Sequence, residues 1–327
     1  MNRNNVLNRY NVLNRDSVLN KPKVIVITGP TATGKTTLGI KLAGMVDGEI
    51  VSADSMQVYT HMNIGTAKPT SDEMNGIRHH MIDMIPPFED YSVAQYVEDA
   101  VKCVDDIIKR GKQPVLVGGS GLYIDSLIAG RSFSARGNEE LRRRLEAEYD
   151  KTGGEAMLAK LRRVDANSAD KLHANDKKRI VRAHETLETT GKPISEHDTE
   201  SSFIPPRYNA VRFALNFANR ETLYNRIDRR VNEMVEKGLI NEVNALIKMN
   251  VPPDNTSMQA IGYKEIADAI INGSDMDATV EKVKMESRRY AKRQLTWLRR
   301  NSDVIWITWD AAPYLDKGLA EIISKTS

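Results

Sequence analysis

Val24-Ile25-Val26-Ile27-Thr28-Gly29-Pro30-Thr31-Ala32-Thr33-Gly34-Lys35-Thr36-Thr37-Leu38 is the stretch that decides the fold. Four β-branched apolar residues run into Gly29-x-x-x-x-Gly34-Lys35-Thr36, and a helix-like segment follows. Strand, glycine loop and helix in that order separate a working P-loop from a chance match. The backbone N–H groups of the loop and the N-terminus of the helix form an anion site, to which Lys35 adds a point charge. The Thr36 hydroxyl is placed to reach Mg²⁺. Glycine is required because the backbone must approach phosphate oxygens closely and take conformations that a Cβ hinders. A bare strand-to-helix turn is the plain alternative. Residues Gly29 to Thr36 are therefore expected to bind a diphosphate or a triphosphate, and the motif does not say which.

Outward from this loop the chain reads as α/β. The spacing predicts a helix over 35–46 and a strand over 49–53 that ends in Asp54. Ser92 and Gln95 form a capping-box pattern ahead of a helix to Arg110, in which Val93, Tyr96, Val97, Ala100, Val104, Ile107 and Ile108 keep helical spacing. Pro114-Val-Leu-Val117 then reads as a buried strand leading into Gly118-Gly119-Ser120-Gly121. Strands alternating with helices imply a parallel sheet with ligands at the carboxyl ends of its strands. Thr28–Thr36, Asp54–Gln57 and Gly118–Gly121 all lie at such ends, so three loops should converge on one site.

Residues 136–200 change character, becoming charged and helical, with Arg142, Arg143 and Arg144, then Arg162 and Arg163, then Lys177, Lys178, Arg179 and Arg182. Pro205-Pro206 marks a boundary, and Val211–Phe217 returns to strand composition. The expected organisation is a P-loop core of residues 21–130 plus 208–327, a helical insertion domain at 131–207, and a disordered tail at 1–20. That tail is an imperfect hexapeptide repeat, Asn2 to Leu7, Asn8 to Leu13 and Asn14 to Leu19, too short and polar to bury a core. Further helices are predicted over 220–237, 240–248 and 278–300, followed by a strand over 304–308.

Composition limits the class. The chain has 327 residues, a net charge of only +3 and one cysteine, Cys103, so any polyanion must meet local basic patches. A single cysteine excludes an internal disulfide and a cysteine-based metal cluster; its place in an amphipathic helix predicts a buried small side chain. With no apolar run of membrane-spanning length and no signal-peptide core, the expectation is a cytoplasmic monomer without a membrane partner.

Two more elements bear on chemistry. Asp54, directly after a strand beside the P-loop, has three readings: near Mg²⁺, as general base, or as a helix cap or Asx turn. The strand 114–117 ends in glycines, so the acid that γ-phosphate chemistry normally uses there is missing, which weakens a simple ATPase or kinase. In the last long helix Lys282, Lys284, Arg288, Arg289, Lys292, Arg293, Arg299 and Arg300 face few acids beyond Glu281 and Glu286, with Trp297 interleaved. A solvated face would account for such a helix alone; with the basic insertion added, a nucleic-acid backbone is the better explanation.

These motifs, in order, resemble the tRNA dimethylallyltransferase (tRNA isopentenyltransferase) family in its bacterial form. The resemblance rests on Gly29–Thr36, Val51-Ser-Ala-Asp-Ser-Met-Gln-Val-Tyr59, Asn63-Ile-Gly-Thr-Ala-Lys-Pro69, Arg78-His-His-Met-Ile-Asp83 and Leu116-Val-Gly-Gly-Ser-Gly-Leu-Tyr123. His173-x-Asn-Asp176-x-x-Arg179, Gly262-Tyr263 and Ala291-Lys-Arg-Gln-Leu-Thr-Trp-Leu298 complete it, so that Lys21 to Thr308 is covered. Ser120 replaces the family's usual threonine, the N-terminal repeat lies outside the pattern, and the zinc finger of the eukaryotic form is missing. The resemblance implies transfer of a dimethylallyl group from dimethylallyl diphosphate to N6 of adenosine 37 of tRNA. It gives Asp54 the role of base, and Lys35, Thr36, Arg230 and Mg²⁺ that of balancing charge on the departing diphosphate. Arg230 is assigned from Arg226-Ile-Asp-Arg-Arg230. The implied tRNA path comprises Asp54-Ser55-Met56-Gln57, Ser120, Arg142, Lys178-Arg179-Ile180-Val181-Arg182, Gln259-Ala260-Ile261-Gly262-Tyr263-Lys264 and Lys292-Arg293-Gln294-Leu295-Thr296-Trp297-Leu298-Arg299. His79 and His80 read as core or loop contacts rather than metal ligands.

Three rivals stay open at this level. A free-nucleotide isopentenyltransferase keeps the P-loop and Asp54 but needs no long basic surface. A small-molecule kinase needs ATP and a γ-phosphate acceptor. An RNA-binding scaffold would keep only a degenerate P-loop, against which Gly34, Lys35, Thr36 and Asp54 all stand intact.

Overall fold

The computed structural model describes residues 21–130 and 138–326, so the hexapeptide repeat lies outside the described residues. Those residues form two compact units: one runs to Ile128 and resumes at Arg207, and the other is Ala129–Pro206. No helix among them is long and apolar enough to cross a membrane.

The first unit is built on a six-stranded parallel sheet in the order β3-β2-β4-β1-β5-β6, comprising β1 (Lys23–Thr28), β2 (Gly48–Ser52), β3 (His79–His80), β4 (Gln113–Val117), β5 (Asn209–Phe217) and β6 (Val304–Trp309). A strand covered by helices on both faces loses its alternation and reads as an unbroken apolar run. That is why Val24 to Ile27 are all buried. Ile27 pairs with Val117 and with Phe213, and Ser52 pairs with Val117. The chain therefore leaves β1, β2 and β4 at one level, and the loops bearing Gly29, Asp54 and Gly118 start side by side. Helix α1 (Lys35–Met45) packs Leu38 and Leu42 into the core formed by Ile25, Ile27, Val115, Phe213 and Leu215.

The sheet and its principal helices follow the sequence reading, with ends shifted by one or two residues. The long basic helix is Met276–Leu298, starting where the Asp275 side chain accepts the Ala278 N–H, rather than 278–300. The Ser92–Gln95 capping box is present in both directions at the start of a helix over Val93–Lys109. Cys103 on that helix is only half-buried, its Sγ 3.8 Å from Met81 Sδ, which corrects the expectation of a buried side chain. A C-terminal helix, Leu315–Thr326, was not anticipated. Its interior Gly318 contradicts helix propensity, and the reason is steric: a Cβ there would lie 2.7 Å from the ring of Trp309.

The second unit is helical, with helices Glu139–Thr152, Gly154–Val164, Ala166–Ala169, Lys177–Thr190 and Ile194–Ser202. Leu145, Met157, Leu158, Leu161, Ile180 and Val181 form its own core. Ile180 and Val181 were expected on the tRNA path; both side chains instead fill this core, because helical periodicity turns them away from their basic neighbours.

Candidate active site

The P-loop is held through its carbonyls, from within and from outside. Pro30 O accepts from Thr33 Oγ1 at 2.8 Å and from Lys35 Nζ at 2.7 Å, Ala32 O accepts Arg226 Nε at 3.0 Å, and Thr33 O accepts Trp309 Nε1 at 3.0 Å. Gly34 (φ 88°) and Ala32 (φ 64°) take left-handed conformations, which turn successive N–H groups toward a common centre. Gly34 then caps helix α1, so the positive end of that helix faces the same centre.

Lys35, Arg230 and Asp54 form one electrostatic group. Burial pulls the Lys35 ammonium down to about 7, the Arg230 guanidinium pulls the same way, and the Asp54 carboxylate opposes both. Burial likewise lowers Arg230, again against Asp54. Lys35 and Arg230 are both half-buried and both face Asp54, with Glu233 and Glu73 acting on Arg230 as well, and two close cations of this kind suit an anionic ligand.

Asp54 takes up the turn-forming reading. Its Oδ1 accepts the Met56 N–H at 2.9 Å, an Asx turn, and this bond takes only one of the two carboxylate oxygens. Aromatic hydroxyls crowd the same place. Asp54 acts electrostatically on the hydroxyls of Tyr96, Tyr123 and Tyr290, raising each of them further after burial has done so; Tyr290 is pushed up to about 12. The Tyr96 and Tyr123 rings stack at 4.0 Å. Ser120 closes the third loop onto this one: its N–H donates to Ala53 O at 3.1 Å, and its Oγ accepts the Ser55 N–H at 3.1 Å. The three loops anticipated from the strand ends thus meet.

Against this geometry the comparisons with known proteins are specific. A family model described as IPP transferase matches residues 57–301. A tRNA dimethylallyltransferase of Acetivibrio thermocellus is 46% identical over 88% of this chain and 92% of its own length. The one from Caldanaerobacter subterraneus subsp. tengcongensis is 44% identical with the same coverage. The chain belongs to the tRNA dimethylallyltransferase family. Among solved structures, the tRNA isopentenylpyrophosphate transferase of Bacillus halodurans superposes with a TM-score of 0.70 at 40% identity, covering 94% of this chain and 96% of that one. A eukaryotic dimethylallyltransferase described as acting on tRNA gives a TM-score of 0.79 at 29% identity, covering 93% of this chain and 80% of that one.

Within the tRNA dimethylallyltransferase frame, the residues expected on the tRNA path divide by burial. Lys178, Arg179, Lys264, Lys292, Arg293, Thr296, Trp297 and Arg299 are exposed. Ser55, Met56, Gln57, Ser120, Gln259, Ile261 and Leu295 are partly covered. Arg142 and Arg182 both spend their charge on the buried Glu185 carboxylate, which weakens them as phosphate contacts. Ala260, Gly262, Tyr263, Gln294 and Leu298 are buried, so their side chains do not stand on the open surface. Leu298 belongs to a small cluster with Ala214 and Val304. Trp297 is aimed by Asp125, which accepts its Nε1–H at 2.6 Å. The two histidines are structural: His80 Nε2 lies 2.7 Å from Glu49 and His79 Nδ1 bonds Ile77 O.

Sequence reasoning missed Glu242. Its carboxylate accepts the N–H groups of Asn63, Ile64 and Gly65 at 2.9–3.2 Å and the Tyr263 hydroxyl. A Cβ on Gly65 would lie 2.4 Å from the Tyr263 ring, so glycine lets the ring cover the loop. The following residues, Thr66 and Ala67, offer their carbonyls to Gln57 Nε2, and Gln57 Oε1 accepts Ser52 Oγ at 2.9 Å. Glu242 thereby steadies the segment after Asp54. In sequence it is an ordinary polar position on an amphipathic helix, and only the fold brings residue 63 to it.

Proposed function

We propose that this protein transfers the dimethylallyl group of dimethylallyl diphosphate to N6 of adenosine 37 of tRNA, beside the anticodon, releasing diphosphate. One observation carries the reading: the Asp54 carboxylate stands in the same electrostatic group as the P-loop Lys35 and the half-buried Arg230, while β4 ends in glycines rather than an acid. A phosphate cradle beside the Asp54 carboxylate suits a reaction in which the diphosphate leaves and a proton is collected. The N6 lone pair forms a bond to C1 of the allyl group as the C1–O bond breaks, and that electron pair departs on the diphosphate. Asp54 takes the N6 proton, through the oxygen not committed to Met56. Lys35, Arg230 and the loop N–H groups hold the charge that grows on the leaving group.

Mg²⁺ fits this arrangement in one way only. Among the described residues no cluster of three or more His, Cys, Asp and Glu side chains could hold a metal. The Thr36 hydroxyl, in the first turn of α1, would be its protein ligand, with substrate oxygens supplying the others, as Mg²⁺ sites on phosphates commonly do. Bound there, the ion would neutralise charge on the diphosphate. An adenosine in a loop must leave its stack to present N6, and exposed Lys292, Arg293 and Trp297 on one helix supply the charge and aromatic surface that such RNA capture uses.

Radiolabelled dimethylallyl diphosphate incubated with unmodified tRNA or with AMP tests the reading. Label is expected in tRNA, in the nucleoside from position 37, and none in AMP; label in AMP alone would make the protein a free-nucleotide enzyme.

A further inference from the structure

The side chain of Gln294 has been given no place in the chemistry, and the resemblance puts it on the RNA path. It is 8% exposed, on the covered face of its helix, between exposed Arg293 and Trp297. Both polar atoms of its amide are used. Oε1 accepts the P-loop Thr31 N–H at 3.2 Å, and Nε2 donates to Gly119 O at 3.0 Å. The fit is close, since a Cβ on Gly119 would stand 2.3 Å from Nε2. On its other side the Gly118–Ser120 turn rests against the residue before Asp54: a Cβ on Gly118 would stand 2.2 Å from Ala53 O. Tyr290, one turn earlier on the same helix, has its hydroxyl raised chiefly by burial and then by Asp54, with Ser120 and Gln294 acting in the opposite direction.

We propose that Gln294 is a positioning residue that sets the separation between the diphosphate cradle and the base, by tying Thr31 of the P-loop to the turn that backs Asp54. The inference rests on the transfer reading above. In-line displacement needs the leaving group, the allylic carbon and the accepting nitrogen held in a near-attack geometry, and a displacement of about 1 Å can cost about 100-fold in rate. Gln294 suits the task because a buried amide can satisfy one donor and one acceptor at once, at one length. Leucine would leave the Thr31 N–H and the Gly119 carbonyl without partners. Glutamate would keep the first bond, lose the second and set a negative charge beside the loop that receives the diphosphate. Arg293 and Trp297 flank it on the exposed face, so a helix that meets RNA also bolts the two halves of the active site together.

The test uses the full chain with Gln294→Leu, Gln294→Glu and Gly119→Ala, the last displacing the amide from the opposite side. Single-turnover transfer, affinity for an anticodon stem-loop, affinity for inorganic pyrophosphate and thermal melting are measured for each. The expected result is a transfer rate lowered about 10- to 100-fold in all three, with stem-loop affinity within about twofold of wild type. The isosteric Gln294→Glu guards against simple unfolding and should also bind pyrophosphate more weakly than Gln294→Leu, by charge repulsion. A folded Gln294→Leu or Gln294→Glu that keeps the wild-type rate would overturn the inference. So would a loss confined to stem-loop affinity, which would make Gln294 an RNA contact. Wild-type protein that transfers nothing overturns the transfer reading and the inference together.

Discussion

Oδ1 of Asp54 fixes the turn that carries it by accepting the Met56 N–H, and the proposed role as base falls to its other oxygen. Asp54→Asn keeps a turn-forming acceptor and removes the base, so transfer at saturating substrates should fall about 10²- to 10⁴-fold while stem-loop binding holds; rapid-quench kinetics decide it, and an unimpaired folded variant would remove Asp54 from the role. Glu49 carries a different kind of prediction. Bonds from Arg110 chiefly, helped by His80, hold its carboxyl at about 2 against the opposition of burial. A carboxylate lowered on folding adds stability above its unfolded value near 4.5, and that contribution disappears as pH falls toward 2. Glu49→Gln should therefore cost about 2–3 kcal/mol at pH 7 and much less at pH 3, by urea denaturation; an equal cost at both would show that packing, not ionisation, matters there. The placement of Gly29–Thr36 and Asp54 side by side was legible in the sequence because it is encoded locally, in a loop and at a strand end. Gln294 and Glu242 were not, since their partners Thr31 and Asn63 lie 263 and 179 residues away. Propensity and periodicity cannot separate such side chains from ordinary helix positions.

At the scale of elements, periodicity found the sheet and the long helices because each buries a stripe of 2- or 3.6-residue repeat. It failed where tertiary contacts override local preference. Gly318 sits mid-helix to admit Trp309, and the two-residue strand β3 exists only by pairing His79 and His80 with Ile50 and Val51. Burial around the basic helix was equally invisible, so Gln294 and Leu298 were grouped with exposed neighbours. The Glu242 anchor yields a test at this scale. Tyr263→Phe removes one hydrogen bond to a charged acceptor and should cost roughly 1.5–3 kcal/mol, with faster amide exchange at residues 63–65 than elsewhere in the core. Unchanged exchange in that segment would mean that the Glu242 carboxylate holds the loop without help.

At the scale of the whole molecule, the proposed chemistry belongs to the P-loop unit, and exposed basic residues are the candidates for holding RNA. Lys178 and Arg179 are exposed, whereas Arg142 and Arg182 answer to Glu185. Replacing Lys178 and Arg179 with alanine should weaken stem-loop binding and flatten the slope of log affinity against log salt by about one to two, with pyrophosphate affinity unchanged. Replacing Arg142 should change that slope little, and a reversed order would redraw the RNA surface. The central claim is that the P-loop holds a leaving group rather than a nucleotide to be cleaved. Its most direct test counts, in one reaction without ATP, the diphosphate released and the N6-dimethylallyladenosine formed in tRNA. The account predicts one of each per turnover. A requirement for ATP, or diphosphate release with no allylated adenosine, would contradict it.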